Sequence, residues 1–237
     1  MMIRYFGAAH LSLYVDNTFF VYTEAELAAL VCDPGVKAFS SHFVRTFPPR
    51  LAGRDLVYIA FLRDPIQQFI SHLTYVRKHF QGIREPELLS CLPPNLASLS
   101  LREAARWILT SPRDVRFREN HNTNFFARFP FLQRAGHCPC DARYQKDRLA
   151  LARSVLENFF FVGITEQMDA SIKRLQARAA RHGVDFPPGN IGFENVSNEG
   201  RDDLSWTHPD DEVGALLWNS TREDRQLYDW AAARLAS

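Results

Sequence analysis

An arginine and a serine eight positions apart form a pattern suited to binding an anion. Arg63 directly follows the apolar run 56–62, which has the length and composition of a buried strand of a parallel sheet. Ligands of such sheets bind beyond the carboxyl ends of the strands, where the start of the next helix favours negative charge. The Arg63 guanidinium suits a phosphate, and the Ser71 hydroxyl, about two helical turns along, can donate to the same anion. Alternatively, Arg63 pairs with a carboxylate at the helix start and Ser71 is a small packing residue.

Cysteines and histidines form no metal-binding pattern in the sequence. Cys138 and Cys140 lie within 137–141 but lack a second pair at zinc spacing, which favours a loop with incidental thiols. The dispersed histidines show no i, i+4 pair with a third ligand. We therefore expect a protein without a metal.

Composition and charge narrow the class of protein. With 237 residues, 46% of them hydrophobic and 23% charged, the chain is predicted to form a single domain over 1–237. A net charge of +1 argues against a nucleic-acid partner, although residues 37–181 carry +11 and residues 182–237 carry −7. The basic centre suits an anionic ligand; the alternative is that the basic and acidic surfaces pair with each other. The lysines are few, namely Lys37, Lys78, Lys146 and Lys173.

Alternating strand and helix patterns predict an α/β fold with a parallel sheet flanked by helices. Asp64 suits the N-cap of one helix and Pro65 its first position, because proline has no N–H to leave unpaired. Ser100 and Glu103 form a capping box that starts another helix, and Thr165 is predicted to cap a third. The predicted strands are 36–40, 56–62 and 159–164, and the predicted helices are approximately 24–31, 65–79, 101–109, 141–157, 165–182, 209–218 and 221–235.

The segment 110–140 is rich in Asn, His, Phe and Pro and is predicted to be an irregular loop. Loops of this length in a domain are more often functional than idle. Its four phenylalanines are predicted to pack in the core beneath the loop, and an aromatic platform that stacks against a sugar is the alternative. They are Phe125, Phe126, Phe129 and Phe131.

The segment 62–77 closely resembles the part of carbohydrate sulfotransferases that binds the 3′-phosphate of the donor 3′-phosphoadenosine 5′-phosphosulfate. The arginine and serine have the same spacing as in that family. Three further segments match the family in order, 41–43, 160–166 and 224–228, and the pattern looks like that of the uronyl and heparan sulfate 2-O-sulfotransferases. The resemblance covers about 39–235 and implies a P-loop-NTPase-like sulfotransferase fold.

The resemblance also implies roles for individual residues. Arg63 and Ser71 would hold the 3′-phosphate of the donor. His42 matches the family's catalytic base, and an imidazole of ordinary pKa suits removal of a proton from a sugar hydroxyl; the alternative is a structural histidine at a strand end. The second histidine of the family's pair is replaced here by Ser40.

Two further positions bear on the donor site that the resemblance implies. Arg201 is the basic residue of the loop 195–205, which closes over the nucleotide in the family, and it is assigned to donor binding, with a solvated loop arginine as the alternative. Gln68 stands where relatives often carry arginine, so we expect a less positive phosphate site.

The reaction that the resemblance implies is in-line transfer of a sulfuryl group to a carbohydrate hydroxyl, with no metal.

One feature of the family has no counterpart in the sequence. In the family, a lysine-containing turn that holds the 5′-phosphosulfate normally precedes the histidine segment. The single lysine before Phe39 in this sequence is Lys37, and it lies inside a predicted strand rather than in a turn. We expect either a chain that lacks the N-terminal donor-loop unit or a degenerate member that binds nucleotide or glycan without transferring sulfate.

The sequence also gives an expectation for the compartment. No apolar run reaches the roughly 20 residues of a transmembrane helix, and no secretion signal is apparent. A cytoplasmic location is expected, or the Golgi lumen if the natural chain has an upstream membrane anchor.

Overall fold

The structure is a computed structural model in which helices predominate. It describes residues 10–12, 25, 28–29, 32, 34–35, 38–40, 50–51, 53–82, 92–112, 118–127, 147–184 and 203–236. The strands among them are β1 (His10–Ser12), β2 (Ala38–Ser40), β3 (Arg50–Leu51), β4 (Arg54–Asp55), β5 (Ile59–Leu62) and β6 (Phe161–Ile164). The α-helices are α1 (Pro65–His79), α2 (Leu101–Thr110), α3 (His121–Ala127), α4 (Arg148–Glu157), α5 (Met168–Arg181), α6 (Glu212–Ser220) and α7 (Arg222–Ala236).

β5 and β6 pair in parallel, which confirms the two apolar runs as strands of a parallel sheet and shows that they are neighbours. The register places Phe61 opposite Gly163 and Leu62 opposite Ile164. A Cβ at Gly163 would lie 2.6 Å from the Phe61 ring, so the ring occupies the space that glycine leaves. The two strands are shorter than the predicted runs. β1 and β2 form a second parallel pair and β3 and β4 an antiparallel one, which agrees with the α/β class.

The start of α1 confirms the predicted cap. The Asp64 carboxylate accepts a hydrogen bond from the Gln67 N–H at 2.8 Å, and Pro65 begins the helix. The helix ends at His79, as expected, and buries a stripe that includes Ile66, Phe69, Ile70 and Leu73. The capping box of α2 is also present, because the Ser100 and Glu103 side chains each accept a backbone N–H at the start of the helix.

Two expectations about local structure were wrong. Residues 121–127 form α3 inside the segment predicted to be irregular, because side chains distant in sequence cap this helix, as described below. Thr165 does not cap α5: residues Thr165–Gln167 form a 3-10 turn, α5 begins at Met168, and the buried Thr165 Oγ1 has no hydrogen-bond partner.

The buried side chains form two hydrophobic clusters. One joins β5 and β6 to α3, α4, α5 and α7, and it contains Phe126, with Phe125 packed against it. The other joins α1, α2 and α6 and includes Trp206. Two of the four predicted core phenylalanines are therefore confirmed, while 129 and 131 lie outside the described residues.

No helix within the described ranges combines the length and the apolar character needed to cross a membrane.

Gly214 in α6 lies against the backbone of the preceding turn. A Cβ there would be 1.9 Å from the His208 carbonyl oxygen and 2.7 Å from that of Trp206. Since neither backbone atom can move alone, we expect Gly214→Ala to lower the free energy of unfolding by about 3 kcal/mol in urea denaturation followed by circular dichroism. The control is Gly82→Ala, whose Cβ meets no atom within 4 Å. Equal stability of the two variants would contradict this packing.

Candidate functional site

The carboxyl ends of β5 and β6 lie side by side and carry the candidate site. Arg63 follows β5 and is exposed, and Glu166 lies in the turn that follows β6. Within the part of the chain that the structure describes, no hydrogen bond or ion pair engages the Arg63 guanidinium. The neighbouring carboxylate of Asp64 instead caps α1. Among the described residues, the alternative in which Arg63 pairs with the carboxylate that caps the helix is therefore wrong.

Ser71 lies on the exposed side of α1. It shares this side with Gln67 and Tyr75, one turn before and one turn after it. Its hydroxyl lies about 9 Å along the helix axis from Pro65, within range of a ligand that also contacts an extended arginine at the helix start. Because the side chain is exposed, Ser71 is not the packing residue of the alternative interpretation.

Glu166 links three segments at this edge. Its Oε1 accepts a hydrogen bond from the Asp64 N–H at 3.0 Å, across 102 residues of sequence, and its Oε2 accepts one from the Tyr228 hydroxyl at 3.1 Å. Burial, reinforced by the Glu166 charge, raises the pKa of Tyr228 to about 12, so the hydroxyl keeps its proton at neutral pH. Both partners of Glu166 are distant in the sequence, and no local pattern indicates them.

The turn that carries Glu166 is itself fixed from α5. The Ser171 hydroxyl is fully buried and binds both polar groups of the Ile164 backbone, accepting from the N–H at 2.9 Å and donating to the carbonyl at 3.0 Å. The last residue of β6 is thus held in place by the helix that follows it.

Asn120 and Asp224 cap each other's helices. Asn120 Oδ1 accepts from the backbone N–H groups of Glu223 and Asp224 at 2.8 and 3.1 Å, in the first turn of α7. The Asp224 carboxylate accepts from the N–H groups of Asn122 and Thr123 at 2.9 and 2.6 Å, in the first turn of α3. Asn120 adopts φ = 42°, a left-handed conformation that asparagine tolerates better than most residues. The two helix starts therefore depend on each other.

An amide pair connects α3 back to α1. Gln68 Nε2 donates to Asn122 Oδ1 at 3.2 Å, and Asn122 Nδ2 donates to Gln68 Oε1 at 2.7 Å. Hydrogen bonds thus run from the start of α1 through Glu166 to α7, through Asp224 to α3, and back to α1. We call this closed series the polar circuit. Gln68, which stands where the family often has arginine, is committed to it.

A narrow cleft lies between α1, α3 and α7, beside the polar circuit. The rings of His72 and His121 meet edge to face there, with centroids 5.0 Å apart. The cleft is lined by Pro65, Gln68, Phe69, His72, Asn120, His121, Thr221 and Asp224. Among the described residues, no group of three potential ligands from His, Cys, Asp and Glu could hold a metal ion.

The predicted site residues are only partly described. Arg63 and Ser71 belong to the same strand-to-helix unit, as expected. His42 and Arg201 lie outside the described residues, and so do Cys138 and Cys140. Comparison of the chain with protein-family models, with curated proteins and with solved structures gave no match.

The buried carboxyl group of Asp224 generates a prediction about pH. Burial raises its pKa from the ordinary 3.8 to about 6, against the lowering effect of its N–H donors. Between these values the folded chain holds more protons than the unfolded chain, so this carboxyl's contribution to the free energy of unfolding falls as pH rises from about 4 to 6. Asp224→Asn removes the effect. We expect the free energy of unfolding of the variant, measured relative to that of the wild type, to rise by about 1–3 kcal/mol between pH 4 and pH 7.

Urea denaturation of both proteins at several pH values measures this shift. Asp229→Asn, an exposed position on the same helix, is the control and should follow the wild-type profile. A difference between Asp224→Asn and wild type that is constant with pH would contradict the prediction.

Proposed function

We propose that this protein is a 3′-phosphoadenosine 5′-phosphosulfate-dependent sulfotransferase that acts on a carbohydrate hydroxyl, built on a P-loop-NTPase-like sulfotransferase fold. The observation that carries the proposal is the meeting of three segments at Glu166. The segments 62–77, 160–166 and 224–228, which resemble the family, are far apart in sequence but are joined by the hydrogen bonds of this carboxylate. If these short segments resembled the family only by chance, nothing would require them to lie next to one another at one edge of the sheet.

Charge and exposure at this edge support the donor site. Arg63 offers five N–H donors in a planar fork, and the exposed Ser71 offers a hydroxyl. Glu166 keeps its negative charge at this edge, and the Asp64 N–H and the Tyr228 hydroxyl stabilise that charge by donating to its two oxygens. In the proposed complex, Arg63 and Ser71 hold the 3′-phosphate and so fix the position of the nucleotide.

The proposed reaction moves one sulfuryl group. His42 takes the proton of the acceptor hydroxyl, whose oxygen forms a bond to sulfur while the bond from sulfur to the bridging phosphate oxygen breaks. The products are a sulfated carbohydrate and 3′-phosphoadenosine 5′-phosphate, which keeps the electron pair of the broken bond. Arg201 is proposed to contact the nucleotide from its loop. In this proposed reaction the protein positions the reacting groups and stabilises charge, and it forms no covalent bond to the sulfuryl group.

A second candidate is a protein that binds the nucleotide or a glycan without transferring sulfate. The groups described at the candidate site, the Arg63 guanidinium and the Ser71 hydroxyl, are suited to holding an anion, which a binding protein needs as much as an enzyme does. Both candidates share the Arg63 site and differ in turnover.

The donor site predicts specific losses of affinity for 3′-phosphoadenosine 5′-phosphate in isothermal titration calorimetry. Arg63→Ala should weaken binding by roughly 10- to 100-fold, because it removes charge-assisted hydrogen bonds. Ser71→Ala should weaken it by roughly tenfold, the value of one hydrogen bond from a hydroxyl to a charged phosphate. Arg181→Ala, another exposed arginine, is the control. No binding by the wild type, or equal binding by Arg63→Ala, would contradict the donor site.

Turnover separates the two candidate functions. With radiolabelled donor and a panel of desulfated polysaccharides, the sulfotransferase proposal predicts transfer that His42→Ala reduces by roughly 100-fold or more, the usual contribution of a general base. Nucleotide affinity should be unchanged in that variant. Nucleotide binding without transfer to any acceptor would instead favour the binding protein.

A further inference from the structure

We infer that Glu166 is a positioning residue for the phosphate-binding arginine, an inference that rests on the proposed function. The Asp64 N–H, which donates to Glu166 at 3.0 Å, belongs to the peptide unit that joins Arg63 to Asp64. This hydrogen bond therefore fixes the plane of the peptide from which the Arg63 side chain extends. Both oxygens of Glu166 accept hydrogen bonds from the protein, so in this proposal Glu166 acts through the Arg63 backbone.

The second oxygen of Glu166 fixes the carboxylate itself. Glu166 is exposed, and an exposed glutamate with one partner would exchange among rotamers. The Tyr228 hydroxyl, at 3.1 Å from Oε2, provides the second partner. Tyr228 lies on α7, whose first turn is held to α3 by the caps of Asn120 and Asp224. The orientation of the Arg63 peptide is thereby tied to the C-terminal helix.

The energetic consequence is preorganisation. An arginine on an unrestrained loop loses backbone and side-chain freedom when it closes on a phosphate, and that loss weakens binding. At this edge, Pro65 and the Asp64 cap restrain the chain after Arg63, β5 restrains it before, and Glu166 restrains the peptide between Arg63 and Asp64. Part of the conformational cost of ordering Arg63 is thus met during folding.

Replacing Glu166 by glutamine and by alanine distinguishes a positioning role from an effect of its negative charge. Glu166→Gln keeps an oxygen that accepts from Asp64 and an NH₂ group that donates to the Tyr228 hydroxyl oxygen, while it removes a negative charge beside the proposed anion site. We expect this variant to bind 3′-phosphoadenosine 5′-phosphate at least as tightly as the wild type. Glu166→Ala loses both hydrogen bonds and should bind roughly tenfold more weakly. Tyr228→Phe should fall between them.

Two measurements test the inference on the full chain. Calorimetric titration with 3′-phosphoadenosine 5′-phosphate gives the affinities, and amide hydrogen exchange gives a readout that needs no ligand. Exchange at the Asp64 amide should be faster in Glu166→Ala than in the wild type and unchanged in Glu157→Ala, an exposed control at the end of α4. If Glu166→Ala does not fold, Tyr228→Phe is compared with Glu166→Gln instead. Tyr228→Phe loses one of the two hydrogen bonds of Glu166, while Glu166→Gln keeps both, so Tyr228→Phe should bind the nucleotide more weakly.

The outcomes separate this inference from the proposed function. If the wild type binds, Arg63→Ala loses binding and Glu166→Ala retains wild-type affinity, Glu166 has no positioning role and the donor site stands. An Asp64 amide that exchanges at the wild-type rate in Glu166→Ala also overturns the inference. If the wild type does not bind the nucleotide, the proposed function fails, and this inference fails with it.

Discussion

The parallel register of β5 and β6 is the constraint on which the candidate site depends. Pairing Leu62 with Ile164 brings the two carboxyl ends to one edge, so that Asp64 and Glu166 meet across 102 residues of sequence. The pairing in turn depends on Gly163, whose missing side chain leaves room for the opposing Phe61 ring. An in-register strand pair therefore decides which loop residues can touch. It places Arg63 where the next helix begins, and the carboxylate that caps this helix accepts from Gln67, so among the described residues the Arg63 guanidinium has no ion pair.

The polar circuit extends this constraint from two strands to three helices. Its members are individually modest hydrogen bonds, but each one orients a group that the next depends on, so the series holds the starts of α1, α3 and α7 together. The costly member is the buried Asp224 carboxylate, whose burial is offset by two N–H donors from α3. Arg148 supports the same corner by bonding to both Glu119 and Glu223. Among the described residues, the hydrogen bonds of the circuit do not include the Arg63 guanidinium.

Local patterns predicted the parts of this arrangement that local interactions determine. The apolar runs of β5 and β6, the Asp64 cap and the capping box of α2 each depend on a few neighbouring residues, and each was confirmed. The helix α3 was missed because its first N–H groups are satisfied by Asp224, about 100 residues away, which no local pattern reveals. The three-residue strand β1 was missed because it is too short to show alternation. The position of Arg63 at the end of a strand followed from the sequence. Its link to Tyr228 through Glu166 could not be predicted, because it joins residues that are far apart in the sequence.

The proposed donor site is the strand-to-helix turn at Arg63, which would bind the 3′-phosphate of the nucleotide. Heteronuclear NMR of the labelled chain, titrated with 3′-phosphoadenosine 5′-phosphate, tests this site residue by residue. Binding at this turn predicts saturable shifts that are largest at the Arg63 guanidinium and at the amides of residues 63–71, with smaller shifts at Glu166. Absence of saturable shifts, or saturable shifts confined to residues outside this edge, would contradict it.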